Sequence, residues 1–242
     1  MLTPENLIAL FTLTLLEVVL GIDNVVFIAI LTEKVDAARQ TAVRRVGLTL
    51  AMLMRIGLLL SISWIVSLTE PFFTVFDHGF SWRDVILLVG GIFLMGKAIL
   101  EIHTHIEEEP EQGHSSYASI PMVLFQIAIF DLIFSLDSVI TAVGVAKYVP
   151  VMVTAIIVSV LVMIIFAERI SKFILSHPTV KILALSFLIL IGFVLLADGL
   201  GKHIEKGYIY FAMGFSIVME MLNMRLRAKR RKKELRQADQ EA

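Results

Sequence analysis

The sequence predicts an all-α membrane protein with seven transmembrane helices. Of its 242 residues, 57% are hydrophobic and 18% are charged, and its mean hydropathy is +0.85. Its apolar runs have the length of roughly 18 to 25 residues that a helix needs to cross a hydrocarbon layer about 30 Å thick. A soluble domain of this length would need a more polar surface, so the composition indicates a chain with several membrane spans.

Seven apolar segments, separated by short charged or polar connectors, define the predicted helices in chain order. The first 224 residues are predicted to form one transmembrane domain, and the strongly basic residues 225–242 are predicted to form a cytoplasmic tail. The predicted helices comprise residues 7–31, 46–68, 84–101, 120–146, 150–168, 181–198 and 207–223.

The distribution of basic residues predicts the orientation of these helices. Positive charge is favoured on the cytoplasmic side, and it is concentrated after the first, fifth and seventh segments. We therefore expect the N-terminus outside and the C-terminus inside. The predicted inner side holds Lys34, Arg39, Arg44, Arg45, Arg169, Lys172, Lys181 and eight basic residues of the tail, whereas the outer side holds Arg83, Lys147, Lys202 and Lys206.

Two apolar segments carry the same pattern of polar residues. The first is LLEVVLGIDNVVFI at residues 15–28, and the second is FDLIFSLDSVITA at residues 130–142. Aligning Glu17 with Asp131 also aligns Gly21 with Ser135, Asp23 with Asp137, Asn24 with Ser138 and Val25 with Val139.

Because these two segments run in opposite directions through the predicted topology, the pattern predicts an inverted repeat of three plus three helices. The repeats comprise about residues 7–101 and 120–198, and the helix at 207–223 is additional. A weaker similarity links the segments that begin at Gly91 and Ile191, where Lys97 and Asp198 hold matching positions. Inverted repeats of this kind place their substrate near the membrane midplane, between the halves.

Buried carboxylates need neutralisation. One charge at the bilayer centre costs roughly 2.5 to 3.5 kcal/mol on insertion scales, so four would cost on the order of 10 kcal/mol. Arg55 and Lys97 are the basic residues well inside the predicted spans, and two cations do not match four carboxylates. Protons or a bound cation would supply the remainder, although carboxylates that only pair within the bundle are the alternative.

The spacing of the acidic residues bears on the helix geometry. Glu17 and Asp23 are six positions apart, which is about 600° of rotation, so a straight helix separates them by about 120°. Gly21 lies between them, and Ser135 holds the matching position in the second segment. We therefore predict a break or kink in both helices, which would free backbone carbonyls as ligands around a protected cavity.

The predicted ligands are all oxygen donors, which suit Mg²⁺, Ca²⁺ or Mn²⁺ better than zinc or copper. Further candidates for the ion pathway or for charge pairing are Arg55, Lys97, Gln126 and Asp198, and Gln126 would equally serve as an interhelical hydrogen-bonding group. The predicted metal ligands are Glu17, Asp23, Asn24, Asp131, Asp137 and Ser138.

The motifs EVVLGIDNVVF and DLIFSLDSVITAVG resemble those of the TerC family of integral membrane proteins. The resemblance extends over nearly the whole chain and includes RRVGLTLAMLMRI, HPTVKILALSFLILIGF and KGYIYFAMGFS. It implies a seven-helix transporter-like fold in the bacterial inner membrane, a role in handling divalent metals, chiefly Mn²⁺ efflux, and a metal site at the six motif residues. The family takes its name from tellurite resistance, and some members are linked to delivery of metal to exported enzymes.

The sequence thus favours a secondary transporter that exports a divalent cation, with proton antiport as the expected coupling. The alternative is a membrane scaffold that supports metal loading of exported proteins or tellurite resistance, and Ca²⁺ or Mg²⁺ are the alternative ions. An enzyme is not expected, because the chain has no cysteine, no Gly-x-Ser-x-Gly motif and no phosphate-binding Gly-Lys loop. The expected partners are the metal ion and the lipid bilayer, without an organic cofactor or nucleic acid, and a homo-oligomer is left open.

Overall fold

The computed structural model describes residues 4–61, 68–75, 78–107, 118–145 and 148–241, and this part of the chain contains seven helices. Five of these helices are long and apolar enough to cross a membrane, namely α1, α3, α5, α6 and α7. The helices are α1 (Pro4–Glu33), α2 (Ala37–Leu60), α3 (Trp82–Glu107), α4 (Ile120–Val145), α5 (Val149–Ser176), α6 (Pro178–Gly199) and α7 (Lys206–Glu241).

Local sequence signals explain where several helices begin and end. Asp36 caps α2 by accepting a hydrogen bond from the Ala38 amide at 3.2 Å. Prolines lie in the first turns of α5 and α6, where a missing N–H has no cost. After α6, Gly201 adopts a φ of 72°, and its amide donates to the Asp198 carbonyl at 3.0 Å. A left-handed glycine of this kind is a common helix terminator.

Several predicted helix boundaries were wrong. The structure extends α3 to Glu107 instead of residue 101 and α5 to Ser176 instead of residue 168. The second helix begins at Ala37, nine positions before residue 46, because the basic stretch at its start is helical; residues 62–67 of its predicted end lie outside the described ranges. The seventh helix does not stop at residue 223 but continues through the basic tail to Glu241. Hydropathy detects only the part of a helix that is apolar, so helical turns rich in Arg and Lys are missed.

A β-hairpin also departs from the all-α prediction. Strand β1 (Pro71–Val75) pairs antiparallel with β2 (His78–Ser81), and Phe73 lies opposite Phe80. The rings of these two residues stack with centroids 5.1 Å apart, and Phe72 stacks on Trp82 at 4.9 Å. Cross-strand aromatic pairs stabilise short hairpins, and a hydropathy scan does not register them.

The helices pack in pairs that bring distant parts of the chain together. The most extensive contacts join α3 to α6 and α1 to α5, followed by those between α2 and α4. In the α3–α6 pair the backbones approach closely, because an added Cβ at Gly91 would lie 2.6 Å from the Gly192 carbonyl oxygen. Small residues allow such close approach between membrane helices.

The buried core lies between α1, α4 and the helices around them. Phe27 and Phe130 are in contact at its centre, with ring centroids 3.9 Å apart, and Phe93 stacks on Phe130 at 5.1 Å. Many large apolar side chains remain exposed, among them Phe11 and Phe211. An exposed apolar surface of this extent is expected where lipid surrounds the protein.

Two ion pairs fix the end of α1 and the residue that follows it. Lys181 of α6 binds Glu33 at 2.6 Å, and Lys34 binds Glu101 of α3 at 2.6 Å. The Ala118 amide, just before α4, donates to the Lys34 carbonyl at 2.9 Å. These contacts hold the end of α1 against three other parts of the bundle and so help to set where its polar motif lies.

Candidate metal site

The first two acidic residues of the repeated motif converge inside the bundle. Glu17 of α1 and Asp131 of α4 are only 4% and 3% exposed, and both are in contact with Arg55 of α2, which is 3% exposed. The three residues therefore form a buried ionic group contributed by three different helices.

Arg55 uses three of its nitrogen atoms in this group. Its Nη1 donates to Glu17 Oε2, its Nη2 donates to Asp131 Oδ1 at 2.9 Å, and its Nε donates to the Ser135 hydroxyl at 3.1 Å. The planar guanidinium presents donors in a fixed fork, so one arginine can bind two carboxylates in different directions.

Asp131 has further partners on both oxygens. The Ser135 hydroxyl, one helical turn along α4, donates to its Oδ2 at 3.0 Å, and the Asn24 amide of α1 donates to its Oδ1 at 3.2 Å. Ser138 is buried nearby, but its hydroxyl donates to the Ser135 carbonyl at 3.2 Å. Asn24 thus contacts the acidic group directly, whereas Ser138 binds the backbone of its own helix.

With both carboxylates ionised, Glu17, Asp131 and Arg55 together carry a net charge of −1. A buried ion pair pays for desolvation only if its hydrogen bonds are satisfied, and here the guanidinium is bound on three nitrogens. The second carboxylate makes the group electronegative, and carboxylate oxygens are the preferred ligands of hard divalent cations. The arrangement can therefore bind a cation if Arg55 gives up part of its contacts.

The side chains of Asp23 and Asp137, the other two carboxylates of the predicted site, lie outside the described part of the structure. Among the described side chains, no group of three or more His, Asp or Glu residues is arranged to hold a metal ion. A cage of four carboxylates therefore stays a prediction.

Of the predicted break or kink in the two motif helices, the break was wrong, and the kink stays a prediction. Residues 4–33 and 120–145 are continuous α-helix through both motifs. An unbroken helix in lipid satisfies the hydrogen bonds of its backbone groups within the helix. Gly21 therefore serves close packing and not a hinge. An ideal Cβ at Gly21 would lie only 2.7 Å from Cε of Met163, so the glycine allows α5 to approach α1.

The three other candidates from the sequence are distributed along the bundle. Lys97 on α3 and Gln126 on α4 are half-buried. Asp198 is 6% exposed at the end of α6, where its Oδ1 is 3.1 Å from Nδ1 of His203. Asp198 thus pairs with a histidine that follows its own helix, and the structure does not bring it to Arg55.

Sequence reasoning missed two features of this site. Ser135 was noted only as the position of a helix break, although its spacing of four residues from Asp131 could have suggested a hydrogen bond. A small pocket next to the ionic group is lined by Met52 and Met163 together with Asn24, Arg55, Asp131 and Val160. No sequence pattern pointed to this pocket, because its lining comes from four helices.

Comparison with known proteins identifies the family. The model of the integral membrane protein TerC family matches residues 2–234. The chain belongs to the TerC family.

Similar TerC-family relatives come from several bacteria. The chain is 53% identical to a UPF0053 protein of Haemophilus influenzae over 93% of this chain and 95% of that protein. It is 50% identical to the UPF0053 inner membrane protein YgdQ of Escherichia coli K12, over 91% of this chain and 93% of YgdQ. It is also 50% identical to the inner membrane protein YoaE of the same strain, but it spans only 43% of YoaE.

The apolar helices and the names of the relatives both indicate that this TerC protein is a multi-pass protein of the inner membrane. The chain spans less than half the length of YoaE, the longer type of relative that it matches. No solved structure matches the chain.

Proposed function

We propose that this TerC protein is a secondary transporter that exports a divalent metal cation, Mn²⁺, across the inner membrane. One observation carries the proposal: Glu17 and Asp131, which hold matching positions in the repeated motif, meet on one arginine in the buried centre of the bundle. Ionisable residues inside a membrane protein are costly and are mostly found on ion or substrate pathways.

The helix pairing supports an inverted repeat of three plus three helices. An inverted repeat superposes α1, α2 and α3 on α4, α5 and α6, respectively. The α1–α5 pair is then equivalent to the α4–α2 pair, and both pairs pack extensively. The α3–α6 pair maps onto itself. Gly91 and Gly192, which align when Lys97 is matched with Asp198, are in contact at its crossing. A twofold axis through that crossing would bring Glu17 and Asp131 to the interface between the halves.

In the proposed cycle, the cation enters from the cytoplasm, binds between α1 and α4, and leaves outward as the halves rock. Protons from outside would then recharge the carboxylates, which makes the protein an antiporter. The expected ligands are Glu17, Asp23, Asn24, Asp131, Asp137 and Ser138. All-oxygen ligands also suit Ca²⁺ and Mg²⁺, and the choice of Mn²⁺ is based on the family resemblance.

The second candidate is a scaffold that loads metal into exported enzymes without transporting it. The burial of Glu17 and Asp131 where α1 and α4 meet favours the transporter, because a scaffold has no need of ionisable groups inside the membrane. We do not propose an enzyme, because the sequence has no cysteine and none of the nucleophile motifs of hydrolases.

The test is Mn²⁺ flux into liposomes that contain only the purified protein, followed with a metal-sensitive dye. We expect Glu17→Gln, Asp23→Asn, Asp131→Asn and Asp137→Asn each to reduce the flux at least tenfold, because each removes a charged ligand. Glu5→Gln is the matched control, since Glu5 is an exposed carboxylate on the same helix as Glu17.

Absence of flux from the native protein would support the scaffold instead. Full flux in the motif variants would remove the assignment of the site.

A further inference from the structure

Arg55 occupies the oxygens that a metal ion would need. Its guanidinium binds Glu17 Oε2 and Asp131 Oδ1, the two carboxylates that come together in the described bundle. We propose that Arg55 is an internal counter-cation: its guanidinium and the divalent cation bind Glu17 and Asp131 in turn, so that Arg55 drives release of the ion. This inference rests on the proposed transport function.

Geometry and charge both oppose simultaneous binding of Arg55 and a divalent cation. A lone pair of a carboxylate oxygen that accepts from the guanidinium is not available to a metal, and Asp131 Oδ1 already accepts from Asn24 as well. Two cations on the same pair of carboxylates would also repel one another strongly at low dielectric. The cation can therefore take Glu17 Oε2 and Asp131 Oδ1 as full ligands only when the guanidinium has moved away.

The pocket beside Arg55 has a volume of only about 10 Å³, so a displaced guanidinium must also move the side chains that line it. Its walls include Met52 and Met163, whose flexible thioether side chains adapt easily to a displaced group. Most of the remaining lining is apolar, so the pocket tolerates a weakly hydrated guanidinium but does not stabilise it as well as two carboxylates do. The displaced arginine would consequently tend to return to Glu17 and Asp131 and so expel the ion.

Only one half of the proposed repeat contributes such an arginine. Arg55 of α2 contacts Ser135 of α4, and the residue that matches Ser135 in the first half is Gly21 of α1. Gly21 is in contact with Met163 of α5, so a methionine holds the place equivalent to that of Arg55. Among the described residues the site thus has one positive charge, whereas a symmetric site would have two or none. The Arg55→Met substitution gives the first half the same side chain as the second half.

The experiment compares Mn²⁺ binding and Mn²⁺ transport in the native protein, Arg55→Met and Arg55→Lys. Binding is measured in detergent by equilibrium titration with Mn²⁺ alone, and transport in liposomes. We expect Arg55→Met to bind Mn²⁺ at least tenfold more tightly and to transport it at a tenth of the native rate or less, because the competing cation is gone and release slows.

Arg55→Lys keeps the charge but loses the fork that reaches both carboxylates. We expect its affinity to lie between those of the native protein and Arg55→Met. A purely structural arginine predicts the opposite order, with weaker binding in both variants. The proposal is overturned if both variants bind Mn²⁺ no more tightly than the native protein does.

Thermal unfolding controls for a variant that folds poorly. Without an ion, Arg55→Met leaves two buried carboxylates unpaired, so we expect its melting temperature to be lower in chelator and to rise more with Mn²⁺ than that of the native protein. If Arg55→Met does not fold, the affinity of Arg55→Lys decides. If the native protein neither binds nor transports Mn²⁺, the proposed function itself fails, which is a different result from native binding that the Arg55 variants do not strengthen.

Discussion

At the scale of single residues, Arg55 and Ser135 link the polar groups of α1, α2 and α4. Ser135 accepts a hydrogen bond from Arg55 Nε at 3.1 Å and donates one to Asp131 Oδ2 at 3.0 Å. Its side chain is fully buried, so no water replaces these bonds when the hydroxyl is removed. The Ser135 hydroxyl therefore bridges the Arg55 guanidinium and the Asp131 carboxylate. Its position in an apolar helix does not reveal this role.

Ser135→Ala tests this residue. Because the substitution leaves a buried guanidinium nitrogen and a carboxylate oxygen without a partner, we expect the free energy of unfolding to fall by about 1 to 3 kcal/mol. The measurement is unfolding in detergent. Ser186→Ala is the matched control, since the exposed Ser186 hydroxyl bonds only to the carbonyl of Ile182 on its own helix, and it should change stability by less than about 0.5 kcal/mol.

At the scale of elements, the close crossing of α3 and α6 is the most extensive helix contact in the described bundle. An added Cβ at Gly91 would lie 2.6 Å from the Gly192 carbonyl oxygen, and one at Gly192 would lie 2.9 Å from the Gly91 carbonyl oxygen. These are backbone atoms, so neither side can give way by a side-chain rotation. A side chain at either glycine must push the two helices apart.

Gly91→Ala and Gly96→Ala separate packing from helix propensity. Both glycines lie on α3, but nothing lies within 4 Å of a Cβ at Gly96. We expect Gly91→Ala to lower the free energy of unfolding by about 1 to 3 kcal/mol, as overpacking does. Gly96→Ala should be neutral or stabilise by up to about 1 kcal/mol, because alanine is the better helix former. Equal effects in the two variants would contradict a close crossing.

At the scale of the whole molecule, the long helix α7 differs from the other six. Its 36 residues begin in an apolar segment and continue through the basic tail, and most of its described side chains are exposed. Its contacts are mainly with α6. An uninterrupted helix of this length is about 54 Å long, which exceeds the hydrocarbon thickness, so its basic end extends beyond the bilayer.

The predicted orientation places that basic end in the cytoplasm. A fluorescent protein fused after Ala242 should fluoresce, because it folds in the cytoplasm but not when exported unfolded. Alkaline phosphatase fused after Lys202, in the predicted outer connector between α6 and α7, should be active. The reverse pattern, with an inactive phosphatase after Lys202, would show that the bundle lies in the membrane the other way round.

Sequence reasoning succeeded where the determining interactions are local. The hydrophobic runs predicted seven transmembrane helices; the described residues contain seven helices, and five of these are long and apolar enough to cross a membrane. The cost of exposing a polar backbone or side chain to lipid acts on each segment independently, so it can be recognised from sequence. The repeated pattern predicted that Glu17 and Asp131 converge, and both bind Arg55, although their role as metal ligands stays a prediction. The pairing of β1 with β2 was not predicted. The predicted break at Gly21 failed, because the glycine serves a contact with Met163 that no local pattern encodes.

The sequence by itself determined that this chain is a TerC-family membrane protein with acidic residues in two matching spans. Only the tertiary structure decided which basic residue pairs with those carboxylates. Arg55 lies 38 residues from Glu17 and 76 residues from Asp131 in the chain, and in the sequence Lys97 was an equal candidate for this pairing. The physical reason is that burial in lipid is a property of each segment, whereas charge pairing depends on which helix faces lie against one another.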